Sequence, residues 1–319
     1  MSGSVTEDHS TGIVSALTLG GPLRALQPER QQERFWRGRL DLQPRDTLRF
    51  TVKYDFERTH EFNGGVGGLV LPELAYESDD IAHTLRFNAR TIPSTAFVNE
   101  ARVSMDRPTT EIGHLANGPM IVVEGAFSGG IDHHFRRSRA VNFEIQDIAT
   151  NFRGAHTLRF GGRLRPQFVT TTDASNFGGT FQFSNLEAFA AGRPFTFRVN
   201  QGTPQVDYGH HLVEGFAQDE VKLRPDFSLM LGARYDYESN VNDYNNIAPR
   251  AAFAFAPGQQ KTNIRGGSGV FYERLGESGI EQVRIARPAS CVQIDLGRRD
   301  RAMTHPALYL HYGYARLRT

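Results

Sequence analysis

The sequence predicts an all-β protein, an antiparallel β-barrel that crosses a membrane with its strands, roughly thirteen of which lie in this chain. Three observations predict it. Apolar and polar residues alternate through one segment after another, the period-two signature of strands with a single greasy face. Short turns alternate with long polar or glycine-rich loops, the habit of barrels whose two rims face different compartments. And the polar faces are rich in arginine, so they belong to water while the apolar faces do not.

The elements follow in chain order. Trp36, Gly38, Leu40 and Leu42 oppose Arg37, Arg39 and Asp41, and a turn at 43–46 leads into a second run. There Leu48, Phe50, Val52, Tyr54 and Phe56 alternate without a fault against Thr47, Arg49, Thr51, Lys53, Asp55 and Glu57. The same parity holds at 83–90, 97–106 and 156–165. Further strands are expected near 119–127, 139–149, 178–184, 193–200, 212–223, 227–238, 247–256 and 261–272, many of them close to the 9–11 residues a tilted membrane strand needs. The stretch "NLEAFAAG", 185–192, reads as a short helical turn ending in a glycine cap. Short turns are expected at 43–46, 92–96, 153–155, 224–226 and 257–260, and long loops at 58–80, 107–118, 166–177 and 239–246. The alternation fails once, between residues 106 and 153, where the strand count is expected to err.

Arg37, Arg39, Arg49, Arg86, Arg90, Arg102, Arg159, Arg163 and Arg234 share the polar faces. Each arginine at mid-bilayer on a lipid-facing position costs roughly 2–4 kcal/mol, so this face is expected to be wet and the other to meet lipid. A soluble sandwich also alternates, but its strands are usually shorter, about 5–6 residues, and no amphipathic helices are available to cover such a sheet. Asp147 and Asp219 oppose the lipid assignment, because both sit on the apolar parity. Either they lie near the interface, where an acid costs less, or a bulge re-phases their strands.

Composition bounds the rest. The chain has 319 residues and a net charge of +1, so no global charge argues for nucleic acid. Mean hydropathy is −0.43, and no run approaches the roughly 18 apolar residues of a membrane helix. One cysteine, Cys291, excludes an internal disulfide framework and reads as an inert thiol. The N-terminus has no basic segment followed by an apolar one, hence no recognisable secretory signal. The expected organisation is an N-terminal segment over 1–32, poorly ordered or a first strand, a partial barrel over 33–287, and a divergent tail over 288–319. Within that tail "ALYLHYGYARL" remains a strand candidate.

The words of the sequence add to its parity. "FAQDEVKLRPDFSLMLGARYDYE" (216–238), "NNIAPRAAFAFAPG" and "KTNIRGGSGVFYERLGE" resemble the TonB-dependent outer-membrane receptor family, and most of all its Oar-like branch. The residues that carry the resemblance are Gln218, Asp219 and Glu220, then Leu231, Gly232, Arg234 and Tyr235, then Ala248, Pro249 and Arg250, then Arg265, Gly266, Gly267, Phe271 and Tyr272. It extends over about 35–287, including "RGAHTLRFGGRLR" and "NFGGTFQFSNLEAFAAGRP". The resemblance implies a transporter of the bacterial outer membrane. It implies a 22-stranded barrel enclosing a plug, opened by the TonB energy-coupling complex, for a bulky nutrient such as an oligosaccharide, peptide or metal chelate. The chain departs from that pattern in lacking a plug domain, in its strand count and in its last residues. It is therefore expected to be an internal fragment, inactive in transport by itself and prone to aggregate through open sheet edges. The rival reading is a non-transporting soluble or surface β-sheet protein with a binding or structural role.

Enzyme chemistry is not expected. His133-His134 and His210-His211 are the obvious metal candidates, but neighbours on a strand point to opposite faces and cannot easily chelate one ion. Asp79, Asp80 and Asp207 read as solvated charge in loops or at strand ends, with ligand contact as the functional alternative. "GGVGGL" (64–69) and "RGGSGV" (265–270) do not sit between a strand and a helix as a dinucleotide site requires, and read as strand glycines that bend or crowd the wall. No G-x-S-x-G elbow occurs. No catalytic, metal-ligating or cofactor-binding residue is assigned, and no cofactor is expected.

Overall fold

The structure, a computed structural model, describes residues 1–113, 118–131, 134–258 and 262–272, and the backbone of 289–295. Sixteen strands are present among them: β1 (Ser2–Thr18), β2 (Gly21–Arg45), β3 (Leu48–Gly64), β4 (Tyr76–Ser94), β5 (Phe97–Ile112), β6 (Met120–Val123), β7 (Phe127–Gly130), β8 (Arg136–Arg153), β9 (His156–Asp173), β10 (Thr180–Phe183), β11 (Thr196–Gly202), β12 (Gln205–Arg224), β13 (Phe227–Glu238), β14 (Ile247–Phe255), β15 (Ile264–Gly269) and β16 (Ala289–Asp295). One short helix, α1 (Leu186–Ala190), lies between β10 and β11, where "NLEAFAAG" predicts it. The Asn185 side chain accepts from the Ala188 N–H at 2.8 Å, and Gly192 (φ 62°) follows in the left-handed region.

Eleven strands form one sheet in the order β1-β2-β3-β4-β5-β8-β9-β12-β13-β14-β15, each antiparallel to its neighbour. Two-residue turns at Asp46-Thr47, Thr95-Ala96, Gly154-Ala155 and Pro225-Asp226 mark one rim. The opposite rim carries the excursions 65–75, 113–135, 174–204 and 239–246, together with one tight turn at Leu19-Gly20.

The strands are longer than their alternation suggests. β3 runs on to Gly64, β5 to Ile112 and β9 to Asp173, so much of what reads as loop at 58–80, 107–118 and 166–177 is wall. Those extensions carry polar residues on both faces because they stand beyond the lipid, which erases the period-two signal. The same cause hides β1 and the first half of β2, over "TEDHSTG" and "LQPERQQERF".

The expected wall strands at 119–127, 178–184 and 193–200 belong elsewhere. They become β6, β7, β10 and β11, which with β16 make a second sheet in the order β16-β11-β10-β6-β7. This detour accounts for the failed alternation between 106 and 153, since β8 itself keeps one register against β9 throughout. The wall therefore has eleven described strands and not thirteen. The candidate strand in "ALYLHYGYARL" lies outside the described residues.

The buried core sits at the rim of long excursions. Val14, Ala16, Val66, Leu71, Val123, Ala126, Phe127 and Phe183 form it, with Leu23 and Ala25 packed against them. Leu23 and Ala25 share parity with Arg37 and Arg39 along β2, so the second sheet packs on the polar side of the wall and leaves the apolar side bare. The 65–75 excursion ties back to the outer edge of β1. Ser15 N–H donates to Gly68 O (2.7 Å) and Gly68 N–H to Ile13 O (2.8 Å), while Leu17 N–H donates to Ala126 O (3.1 Å) of the next excursion. Gly65, Gly67 and Gly68 take positive φ there, so "GGVGGL" is a doubled-back loop and not the bent wall strand its glycines suggest.

Candidate functional site

The functional feature is the wall itself, because register places each parity on one face across many strands. One row reads Leu40–Val52–Phe87–Val103–Ile145–Leu164–Val213–Tyr237 over eight strands, with every member apolar. Leu40, Phe87, Val103, Ile145, Leu164 and Val213 are all exposed. So are Leu85, Leu158, Phe160 and Leu231 on the same face. No described residue covers this belt, and an apolar area of this extent in water would be an association surface. On β3 the belt runs from Leu48 to Phe56, nine residues, close to the 9–11 a tilted strand needs to span. Arg58 and His60 follow it outward, and Trp36, Tyr54 and Phe56 ring its upper margin, with Trp36 and Tyr54 rings 5.5 Å apart.

The opposite face is a ladder of charges. Asp55, 4% exposed, lies between β2 and β4 and pairs with Arg37 and, at 2.6 Å, Arg86. Glu214, 8% exposed, takes Arg163 at 2.6 Å, Arg234 at 3.2 Å and Arg165 at 3.7 Å, while Arg234 also holds Asp236 at 2.9 Å. Charges this enclosed persist only when paired and hydrogen-bonded. The sequence marks Arg163 and Arg234 as water-facing, but their convergence on Glu214 needs the register of β9, β12 and β13 and is not visible in the chain's order.

The two misfit carboxylates stay on the apolar face. Neither strand is re-phased at Asp147 or Asp219, since pairing runs unbroken through both. Asp147 accepts from Asn99 Nδ2 at 2.9 Å and is exposed beside Ala101 and Gly162. Asp219 meets His156 Nδ1 at 2.6 Å, close to the rim of tight turns.

The histidine pairs split as strand geometry requires. His210 turns to the charged face, buried, with Nε2 3.0 Å from Glu238 Oε1. His211 turns to the other face and packs edge-on against Phe168. His134 lies beside Tyr76, and His133 is outside the described residues. Asp79, Asp80 and Asp207 stand in strands, near the starts of β4 and β12. Asp79 pairs with Arg58 (2.8 Å), Asp80 accepts from Thr110 (2.5 Å), and Asp207 accepts from Thr170 (2.6 Å). Bonds from Thr170, then Gln205, hold the Asp207 carboxyl below its ordinary range. In "RGGSGV", Arg265–Gly269 lies in β15, where a Cβ on Gly266 would come within 2.7 Å of the Phe253 ring, as wall glycines do. Cys291 lies in β16. Among the described residues no three His, Cys, Asp or Glu side chains converge as metal ligands.

An antiparallel wall with an uncovered apolar belt and a charged inner face defines an outer-membrane β-barrel. The chain belongs to the outer membrane beta-barrel domain family, whose model matches residues 19–243. Its place is the bacterial outer membrane, and its apolar face is in contact with lipid. The soluble-sheet reading is overturned by this family match and by the bare belt. Among solved structures it is similar to the outer membrane transporter YddB from Escherichia coli, with 14% identity and a TM-score of 0.63 over 83% of this chain and 35% of YddB. A second similar structure is FpvA of P. aeruginosa, at 11% identity and a TM-score of 0.48 over 81% of this chain and 39% of FpvA. The chain thus spans little more than a third of either structure. No curated protein matches the sequence.

Proposed function

We propose that the chain is part of the barrel wall of a TonB-dependent receptor, of the Oar-like branch, that takes up a bulky nutrient across the outer membrane. The observation that carries the proposal is the eleven-stranded two-faced wall. Its lipid belt is continuous across eight strands, and its inner face is held by Asp55 and Glu214 ion-pair clusters. The branch assignment rests on Gln218-Asp219-Glu220, Arg234-Tyr235 and Ala248-Pro249-Arg250, which fall on consecutive strands β12, β13 and β14. A longer parent protein is supported by the third of YddB that the chain spans and by the two ends of the wall sheet, β1 and β15. The Asp55 and Glu214 clusters tie neighbouring strands together, which suits a transport wall rather than a catalytic site.

Sequencing the DNA on both sides of this frame tests the proposal. Plug-coding sequence upstream and strand-coding sequence downstream is the expected result. Unrelated genes on both sides would refute the receptor-fragment reading.

A further inference from the structure

The charges of the inner face are not evenly balanced along the wall. Across β8, β9, β12 and β13, Arg163, Arg165 and Arg234 meet Glu144, Glu214 and Asp236, three against three. Across β2–β5 the pattern differs. Arg39, Lys53 and Arg86 occupy one row on adjacent strands, each directly opposite the next. Arg49 and Arg90 are directly opposite each other closer to the rim of tight turns, and Arg102 sits between these rows, opposite Asn88. With the row of Arg37 and Asp55 included, seven cations share four carboxylates, and each carboxylate is already engaged; Asp106, opposite Thr84, accepts from Thr84 (2.7 Å) and Asn142 (3.4 Å). Asp41 is held twice by Arg39 (2.5 and 2.9 Å), Asp55 is shared with Arg37, and Glu100 serves Arg90 (3.5 Å) and Arg102 (3.8 Å). Arg49 donates to the neutral Gln43 side chain at 3.0 Å, and Lys53 forms no ion pair among the described residues.

Like charges placed directly opposite on neighbouring strands destabilise a sheet. Neighbouring strands are about 4.8 Å apart and alternate residues along one about 6.8 Å, so these cations stand within reach of a single ligand. Arg39, Arg86, Arg90 and Arg102 are each about half exposed, so their guanidinium groups are open to solvent. Guanidinium forks of this kind bind phosphate and carboxylate groups bidentately.

We propose that the β2–β5 sector of the inner face is a binding site for a multiply charged oxyanion, seated over Asn88 between Arg86, Arg90 and Arg102, with Lys53 and Arg49 at its margins. The site stands on strand register and charge, and it does not depend on the transport reading, because binding is read directly.

The test is calorimetric titration of the full chain, folded in nonionic detergent micelles at low ionic strength, with inorganic pyrophosphate and separately with citrate. Saturable binding of either probe is expected, tighter pyrophosphate marking a phosphate site and tighter citrate a carboxylate site. The Arg49→Gln/Arg90→Gln double variant should bind at least about tenfold more weakly. Arg24→Gln, a control on the opposite face of β2 and at its far end, should bind like the parent. A second readout needs no ligand. Lys53→Gln should raise the unfolding temperature by removing a like-charge pair, and should reduce the further rise that pyrophosphate produces. Absence of saturable binding by both probes, equal binding by the double variant, or a lower unfolding temperature for Lys53→Gln would each overturn the proposal.

Discussion

Asp219 Oδ2 lies 2.6 Å from His156 Nδ1, and the pair joins β12 to β9 on the lipid side of the wall, near the rim of tight turns. Its other oxygen, Oδ1, has no hydrogen-bond partner among the described residues. Removing one partner of such a pair strands the other in apolar surroundings, whereas replacing both restores the belt. His156→Leu is expected to destabilise the protein by about 1–2 kcal/mol. His156→Leu/Asp219→Leu together should recover most of that loss. Urea unfolding in detergent measures both; a double variant no better than the single one would refute the pairing account.

Glu214 is the anchor of the inner face because three arginines from β9 and β13 reach it. Glu214→Ala leaves those cations facing one another in a shielded position. Breaking an enclosed ion pair by deleting one member costs about 3 kcal/mol or more. The expected result is a large fall in unfolding midpoint, while Glu220→Ala, on the same strand and face, changes it by less than about 0.5 kcal/mol.

Beyond the membrane, at the rim of long excursions, Arg137 grips Glu111 with two bonds of 2.7 Å. This guanidinium holds the Glu111 carboxyl below its usual 4.5, with a weaker pull from Arg139. A carboxyl lowered in the folded state contributes stability above its unfolded value and loses it as pH falls through the folded value. The unfolding temperature of Glu111→Gln should therefore lie below that of the parent at neutral pH. The gap should close only as pH drops below about 4.5. A gap independent of pH between 7 and the acid end would show that the carboxylate charge plays no part.

Val103 and Ser104 are adjacent on β5 and face opposite media. Val103→Arg puts a cation at the middle of the lipid belt, at a cost of about 2–4 kcal/mol. Ser104→Arg, between Arg86 and Glu144 on the inner face, should cost less than about 1 kcal/mol. Resistance of the folded protein to SDS without heating is the simple readout, lost for the first variant and kept for the second.

The wall was legible wherever lipid imposes contrast between faces. Leu48 to Phe56 alternate in sequence because one side meets hydrocarbon and the other water, and the structure keeps that parity. Outside the bilayer both faces are wet, so Glu7 to Thr11 and Gln27 to Glu33 show no period even though they are strand. β6 and β10 misled for the opposite reason. "MIVV" and "TFQF" are apolar enough to read as wall, but their partners are each other, in a parallel pair that no local pattern announces. The charge clusters need register: Asp55 is separated from Arg86 by 31 residues and Glu214 from Arg163 by 51. The like-charge row of Arg39, Lys53 and Arg86 was equally hidden, although each member was readable as a water-facing residue.

The most direct test of the two-faced wall is cysteine scanning along β5 in a Cys291→Ser background, with single cysteines from Ala101 through Asp106. A water-soluble maleimide applied to the protein in lipid vesicles should label the cysteines replacing Arg102, Ser104 and Asp106 and spare those replacing Ala101, Val103 and Met105. A membrane-partitioning maleimide should show the reverse order. Uniform labelling along the strand, or an order opposite to this one, would contradict the assignment of the apolar face to lipid.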